Sequence, residues 1–247
     1  MSSTSRRRWV IGLTAAAATI TVAGVVGIVG VGTLGRTTST PPPSVTPSPS
    51  PSPPTGSVLP LKARYQKNPY YAAPAAAVLS LSSFGIEVSQ STMAAKMKMT
   101  SDGEYSGEAF YKAVNGYLHD TPYLVNNVGG PDSEPDFVMR EVAYDVGVLR
   151  RAPMLAVWAE RLPWHQDIPS GQRVDHMVVA VGYDRARGTV TVFDPWPGSG
   201  GVRTLRVGLL ARALRLSGLY FIYQRSWSWD TPTPTASRRP SADGTPI

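Results

Sequence analysis

Two polar residues in the second half of the chain stand where a histidine–carboxylate pair could form. His176 begins one predicted strand, and Asp194 ends the next, directly before Pro195. The segment between the strands, 184–188, ends in a glycine and is typical of a hairpin connection, so we expect the strands to be neighbours. A carboxylate beside an imidazole fixes the tautomer of the ring and favours its charged form.

A glutamine stands in front of the first predicted helix. Gln66 lies six positions before Ala72, which is at the mouth of that helix. The hydroxyl groups nearby do not stand at position 72, because Tyr70 and Tyr71 precede the helix and Ser80 is two turns into it. The chain contains no cysteine, so thiol chemistry is excluded.

Three separated blocks of sequence resemble the C39-like peptidases of the papain-like cysteine protease superfamily. The blocks follow the order of that family and span residues 65–223. They read Tyr65-Gln66, five residues, Ala72-Ala73-Pro74-Ala75-Ala76, with Ser89-Gln90 further on; His176-Met-Val-Val-Ala-Val-Gly-Tyr-Asp184; and Val192-Phe-Asp194-Pro195-Trp196.

The resemblance implies a role for each remnant of the site. In the family the first block reads glutamine, five residues, then Cys-Gly-Pro, and the cysteine attacks an amide carbonyl. A histidine acts as base and acid, and an aspartate or asparagine orients it. The glutamine amide and the backbone N–H of the cysteine form the oxyanion hole. By position these roles fall on Ala72, His176, Asp194 and Gln66.

The sequence departs from the family at the nucleophile. Ala72 stands where the family has cysteine, and Ala73 stands where it has glycine. A methyl group cannot form an acyl intermediate. In studied triads the loss of the nucleophile reduces turnover by about six orders of magnitude. We therefore expect a pseudopeptidase without an intact catalytic site, and neither a cofactor nor a metal is implied.

Hydrophobic periodicity changes along the domain and predicts an α+β fold. Helical spacing dominates the first half, and short apolar runs typical of strands dominate the second. This order is typical of a papain-like fold in which N-terminal helices pack on an antiparallel β-sheet. Helices are predicted at 75–84, 91–99, 108–118, from Pro135 through 146, and at 205–216; strands are predicted at 154–158, 176–183, 189–193 and 218–224.

The N-terminus predicts export. Arg6, Arg7 and Arg8 precede an uncharged apolar stretch over 9–35, and a span of about 20 residues crosses a bilayer. We interpret residues 1–35 as a signal or anchor segment that places the rest outside the membrane. A retained anchor is favoured over a cleaved signal because no A-x-A site precedes Arg36. The three arginines also resemble a twin-arginine signal.

Two segments beside the domain have low-complexity composition. Residues 36–56 are rich in proline, serine and threonine and predict a semi-rigid linker, and 230–247 predict a disordered tail. The domain is assigned to 57–229. The formal net charge of the chain is +7, but much of it lies outside this domain, so nucleic-acid binding is not expected.

Other aromatic and imidazole residues match no block of the resemblance. His119 and His165 are predicted to lie on the surface and to form no metal-binding set with His176, because neither helical nor paired spacing links them. Core or edge packing is the ordinary role of tryptophan, although a peptide groove is the alternative. The tryptophans concerned are Trp158, Trp164, Trp196, Trp227 and Trp229.

Three functions remain open from the sequence. The leading one is an extracytoplasmic papain-like domain that binds peptide or protein segments without cutting them. The second is an active hydrolase that uses an unrecognised nucleophile, or a water positioned by His176 and Asp194. The third is a scaffold domain of the cell envelope whose former site is decaying.

Overall fold

The computed structural model describes residues 51–128 and 134–225. The predicted anchor 1–35, most of the linker 36–56, the tail 230–247, and Trp227 and Trp229 lie outside these ranges. None of the helices in the described ranges is both long enough and apolar enough to span a membrane. Near the start of the described residues, the Pro54 carbonyl oxygen accepts a hydrogen bond from the Tyr183 hydroxyl at 2.9 Å.

The helices lie mostly in the first half of the chain, as predicted. A π-helical segment, Tyr144–Leu149, continues the fourth helix, and a short 3-10 turn, Ala159–Arg161, follows the third strand. The α-helices are α1 Ala72–Ser82, α2 Gln90–Lys96, α3 Gly107–Tyr117, α4 Pro135–Ala143 and α5 Val207–Ala213.

Within residues 51–128 and 134–225, seven strands form one antiparallel sheet. Its order is β2-β7-β3-β4-β5-β6, and β1 pairs with β4 outside this path. The α+β class with helices packed on an antiparallel sheet is therefore confirmed. The strands are β1 Gly56–Val58, β2 Tyr123–Asn127, β3 Met154–Trp158, β4 Asp175–Asp184, β5 Thr189–Asp194, β6 Gly201–Arg206 and β7 Leu214–Gln224.

Local sequence signals explain where the helices begin. The Ser89 hydroxyl accepts a hydrogen bond from the Thr92 N–H at the start of α2, and Ser106 accepts one from the Ala109 N–H at the start of α3. Pro135 occupies the first turn of α4, where a missing N–H costs nothing. These caps place the helix starts close to the predicted positions.

Helix α1 is buried along most of its length. Residues 73–81 are all buried. The alanines of the first two turns leave little side-chain volume, so α1 can pack against both α2 and strand β4.

The hairpin β4–β5 forms as predicted. Tyr183 pairs with Val190 and Asp184 with Thr189. Gly188 closes the turn with φ of +62°, a left-handed conformation that glycine adopts without the steric penalty of other residues. The hairpin therefore fixes the positions of His176 and Asp194 in adjacent strands.

The helix predicted at 205–216 is wrong in extent. Helical backbone covers only Val207–Ala213, because residues on both sides pair as strands. Leu205 pairs with Val190 in β6–β5, and Leu214 pairs with Val157 in β7–β3. The leucine spacing that indicated one helix belongs to a strand, a short helix and a second strand.

Candidate functional site

The structure brings His176 and Asp194 together. His176 lies near the start of β4, Asp194 ends β5, and His176 Nε2 is 2.8 Å from Asp194 Oδ1. Both residues are buried. The backbone N–H of Trp196 donates to the same carboxylate oxygen at 2.9 Å, so the turn after β5 also holds this carboxylate in place.

The second oxygen of Asp194 accepts hydrogen bonds from two residues that were not assigned to the site. The indole N–H of Trp164 donates to Asp194 Oδ2 at 2.8 Å, and His165 Nε2 is 2.8 Å from the same atom. Both come from the turn that follows β3. Asp194 therefore has four hydrogen-bond partners inside the protein.

These partners decide the charge of Asp194. Burial is the largest single influence and favours the neutral acid, but hydrogen bonds from His165 and His176, the charge of His176 and the Trp164 hydrogen bond together outweigh it. The pKa of Asp194 is held well below its usual range. As an ionised carboxylate can only accept, both imidazoles carry a proton on Nε2.

The prediction that His165 lies on the surface is wrong, whereas His119 is exposed as predicted. His165 is only 1% exposed, and its ring lies 4.7 Å from the Trp196 ring. The turn that carries it meets β5 only through tertiary packing. No spacing in the sequence could signal that contact.

The imidazoles of His165 and His176 lie close together. Their spacing in the sequence had indicated that they would not form a metal-binding set. His165, His176 and Asp194 each offer a ligand atom, and these atoms lie within 4.8 Å of one another, close enough to hold a metal ion. Each imidazole Nε2 faces an oxygen of Asp194. Hydrogen bonding to the ionised carboxylate thus accounts for the cluster as it stands.

Gln66 lies beside this cluster, but its amide is already engaged. The Gln66 N–H donates to the Pro195 carbonyl at 2.8 Å, next to Asp194. The side-chain Nε2 donates to the carbonyls of Asn68 and Pro69, both at 3.1 Å. Both amide hydrogens therefore have acceptors, and Oε1 is buried without a partner among the described residues.

A second glutamine holds the segment that carries Gln66. Gln90 Nε2 donates to the Tyr65 carbonyl at 2.8 Å, and Gln90 Oε1 accepts from the Lys67 N–H at 2.9 Å. Gln90 belongs to the Ser89-Gln90 pair of the sequence resemblance. Its side chain therefore acts as a clamp that positions residues 65–67.

Ala72 is the first residue of α1 and is half-buried. Tyr71 makes no side-chain cap, and Pro74 has no N–H. The N–H groups of Ala72 and Ala73 are therefore the donors available at this helix end, which carries a partial positive charge. They suit an acceptor oxygen, but the Ala72 methyl offers no nucleophile.

A depression on the described surface lies beside the 64–67 segment. It has a volume of about 520 Å³. The residues that line it include the apolar Val78 and Val88 and the charged Arg64, Lys67 and Glu87. Neither His176 nor Asp194 lines it, so this depression is separate from the histidine–carboxylate cluster.

The fold and the site define a papain-like domain, and comparison with known proteins identifies its family. The sequence profile of the Peptidase_C39 like family matches residues 58–207. This match covers more than half of the 247-residue chain, so the chain belongs to that family. No curated protein matches the chain significantly.

Three of the solved structures that match the chain are peptidases or peptidase domains. A double glycine motif protease from an AMS/PCAT transporter, in complex with the leader peptide, is 14% identical with a TM-score of 0.48 over 72% of this chain and 100% of that one. A C39-like peptidase from Bacillus anthracis is 16% identical, with a TM-score of 0.46 over 69% and 98%. The peptidase domain of Streptococcus ComA is 14% identical, with a TM-score of 0.46 over 67% and 99%.

Proposed function

We propose that this chain is a C39-like domain that binds peptide or protein segments outside the membrane without the cysteine chemistry of its family. One observation carries the proposal. The His176–Asp194 pair is buried and hydrogen-bonded at 2.8 Å, whereas position 72, where the family has its nucleophile, is alanine.

The argument against cysteine-type cleavage is chemical. Covalent acyl transfer needs an atom that can attack the carbonyl and then leave. The methyl group of Ala72 cannot do either, and the chain has no cysteine elsewhere. A site of this kind retains only its capacity to orient and bind.

The argument against simple decay is energetic. Asp194 is fully buried and ionised, and a buried charge destabilises a fold strongly when a partner is removed. Trp164, His165, His176 and the Trp196 N–H all supply partners. Replacing a buried ionic cluster with apolar residues of similar volume often stabilises a protein. A domain that served only as a scaffold would therefore gain little by keeping this cluster.

Binding would centre on the N-terminus of α1. The N–H groups of Ala72 and Ala73 are suited to a carbonyl or carboxylate oxygen of a peptide. Gln66 would contribute indirectly, because its amide hydrogens are bonded to Asn68 and Pro69. Its role in this proposal is to shape the loop beside the helix end.

The extracytoplasmic location belongs to the proposal as well. It is supported by the arginines before an uncharged stretch at 9–35 and by the proline-rich linker that follows. Export through this segment would display the domain outside the membrane. Fusion of residues 1–56 to a reporter enzyme that is active only after export would test it, and retention of the reporter inside the cell would contradict it.

The binding test uses the full chain on an array of immobilised random-sequence decapeptides. Ala72→Asp places a negative charge at the helix end, which leaves the helix stable but repels an incoming carbonyl oxygen. We expect binding to fall at least about tenfold, a change of about 1.4 kcal/mol. Ser101→Asp makes the same change at an exposed turn and should bind as the parent protein does.

Two results would overturn this proposal. One is equal binding by the Ala72→Asp and Ser101→Asp proteins, which would place the contact elsewhere. The other is the absence of any peptide bound by the parent protein, which would favour the scaffold function. Mass spectrometry of the bound peptides should show no cleavage that depends on His176.

A further inference from the structure

A second relay of polar groups branches from Asp194 on the side away from His176. Ser199 Oγ lies 3.1 Å from His165 Nδ1, and His165 Nε2 lies 2.8 Å from Asp194 Oδ2. A serine hydroxyl, an imidazole and a buried carboxylate are thus joined in sequence. The peptide-binding function does not use Ser199 or His165 Nδ1.

The charge of Asp194 determines the direction of the hydrogen bonds in this relay. The ionised carboxylate accepts from His165 Nε2, so Nε2 carries the proton and Nδ1 carries the lone pair. Ser199 must therefore donate its hydroxyl proton to Nδ1. This is the arrangement in which an imidazole can remove a proton from a serine hydroxyl.

Solvent exposure increases along the relay from Asp194 to Ser199. The side chains of Asp194 and His165 are 0% exposed, whereas Ser199 is half-buried between the exposed Gly198 and the buried Gly200. The hydroxyl is therefore the end of the relay closest to solvent. A buried base beneath a partly exposed hydroxyl allows a substrate to reach only the nucleophile.

The turn that carries Ser199 is held by several contacts. Arg203 donates to the Ser199 carbonyl at 2.6 Å and to the Gly200 carbonyl at 3.1 Å. The Gly200 N–H donates to the Trp196 carbonyl at 3.0 Å. A side chain at Gly200 would collide with the carbonyl oxygens of Trp196 and Asp194, so this close approach requires glycine.

We propose that Ser199, His165 and Asp194 form a serine relay that accepts acyl groups from ester substrates. This activity goes beyond peptide binding and depends on none of the residues at the N-terminus of α1. It uses the carboxylate that His176 shares. Ser199 and His165 are the catalytic residues, and Asp194 orients His165.

The reaction balances without a further reagent. Ser199 Oγ attacks the carbonyl carbon of the ester as its proton moves to His165 Nδ1. The tetrahedral intermediate then expels the alcohol, which takes the proton from Nδ1, and an ester of Ser199 remains. Water repeats the two steps, with His165 again as base and acid, and releases a carboxylic acid and free Ser199.

The same turn offers donors for the developing oxyanion. Within the described residues, the backbone N–H groups of Gly198 and Ser199 have no hydrogen-bond acceptor. The Ser199 N–H belongs to the attacking residue itself, which is a common arrangement for an oxyanion hole. Arg203 fixes the carbonyl of that residue and thereby its backbone orientation.

The first test uses a fluorophosphonate probe on the full chain, with the labelled residue mapped by mass spectrometry. The serine oxygen displaces fluoride from the probe, so the label reports nucleophile activation without an ester substrate. We expect stoichiometric labelling at Ser199, none there in Ser199→Ala, and a reduction of at least about a hundredfold in His165→Gln. The control Ser101→Ala removes an exposed turn serine and should be labelled at Ser199 as the parent is.

A second variant keeps the test valid if His165→Gln does not fold. Ser199→Cys introduces the single thiol of a chain that has no cysteine, and Ser101→Cys introduces a matched thiol at an exposed turn. An activated thiol at 199 should be alkylated by iodoacetamide at least about tenfold faster than the thiol at 101 near pH 6, because an adjacent imidazole favours the thiolate. Equal rates, or no label at Ser199 in the parent protein, would overturn the relay.

The two proposals fail separately. Peptide binding with no labelling at Ser199 would overturn the serine relay alone. Labelling of Ser199 by a protein that binds no peptide would overturn the proposed function and support the relay. Hydrolysis of p-nitrophenyl acetate that disappears in Ser199→Ala would show that the acyl-enzyme turns over.

Discussion

Two equally buried aspartates have pKa values shifted in opposite directions because their surroundings differ. Asp194 is 0% exposed and Asp145 is 1% exposed. Burial raises the pKa of Asp145 well above its usual range. The one hydrogen bond that lowers this pKa comes from the Ile222 N–H, which donates to Asp145 Oδ2 at 2.9 Å. Asp194 has four donors, and its pKa falls instead.

The difference shows that burial alone does not determine ionisation. Asp145 lies in the π-helical segment after α4 and ties it to β7, which is a structural task that a neutral acid can perform. Asp194 ends β5 among two imidazoles and an indole. The concentration of donors around one carboxylate distinguishes the candidate site from the rest of the core.

The largest effect is expected from Asp194→Ala. It would leave two imidazoles and an indole N–H without their acceptor in a buried site. The loss of one partner of a buried charged group destabilises proteins by about 3–5 kcal/mol. Urea unfolding measures the change, and a loss below about 1 kcal/mol would mean that the four contacts contribute little.

A smaller effect is expected from Trp164→Phe. This change removes one donor to Asp194 and keeps most of the aromatic volume. A hydrogen bond to a charged group contributes about 1.5–3 kcal/mol, so the free energy of unfolding should fall by that amount. The pKa of Asp194, followed by carboxylate NMR, should rise, and an unchanged pKa would contradict the role given to the indole.

The smallest effect is expected from Asp145→Asn, and it should depend on pH. Because its folded pKa is raised, Asp145 contributes stability below its unfolded pKa of about 3.9 and loses it as the pH rises through the folded value. The Asn variant should therefore gain stability relative to the parent protein from about pH 4 to 7.

The pKa of Asp194 is shifted in the opposite direction from that of Asp145, so its Asn variant is the matched control for this measurement. Its lowered folded pKa contributes stability above about pH 3.9 that is lost as the pH falls. Asp194→Asn should therefore be less stable than the parent protein, by an amount that grows as the pH rises to about 3.9 and stays constant above it. Parallel urea unfolding of both variants would contradict the comparison if their differences from the parent had the same sign.

Sequence reasoning succeeded where local rules decide the structure. The hairpin between His176 and Asp194 follows from two strand patterns and a glycine turn, and both residues then lie in paired strands. The first helix was predicted at 75–84, and in the structure it begins three residues earlier, at Ala72. The fold class follows from the order of helical and strand periodicity.

The rest depends on contacts between distant segments. His165 and Trp164 reach Asp194 from another turn, and no spacing signals this. Strands β2 and β6 were not predicted, because their stability comes from pairing with β7 and β5. The engagement of the Gln66 amide by its own loop is also invisible in the sequence.

The most direct test of the central claim introduces Ala72→Cys and measures the alkylation rate of this single thiol against pH. An ordinary thiol titrates near pH 8.5, whereas a thiol at a helix N-terminus beside an imidazolium titrates at roughly 3.5–7.5. We predict a thiolate that persists well below pH 7 and is lost when His176→Gln is added. A thiol at 72 that titrates near 8.5, as Ser101→Cys should, would contradict a papain-like site built around a missing nucleophile.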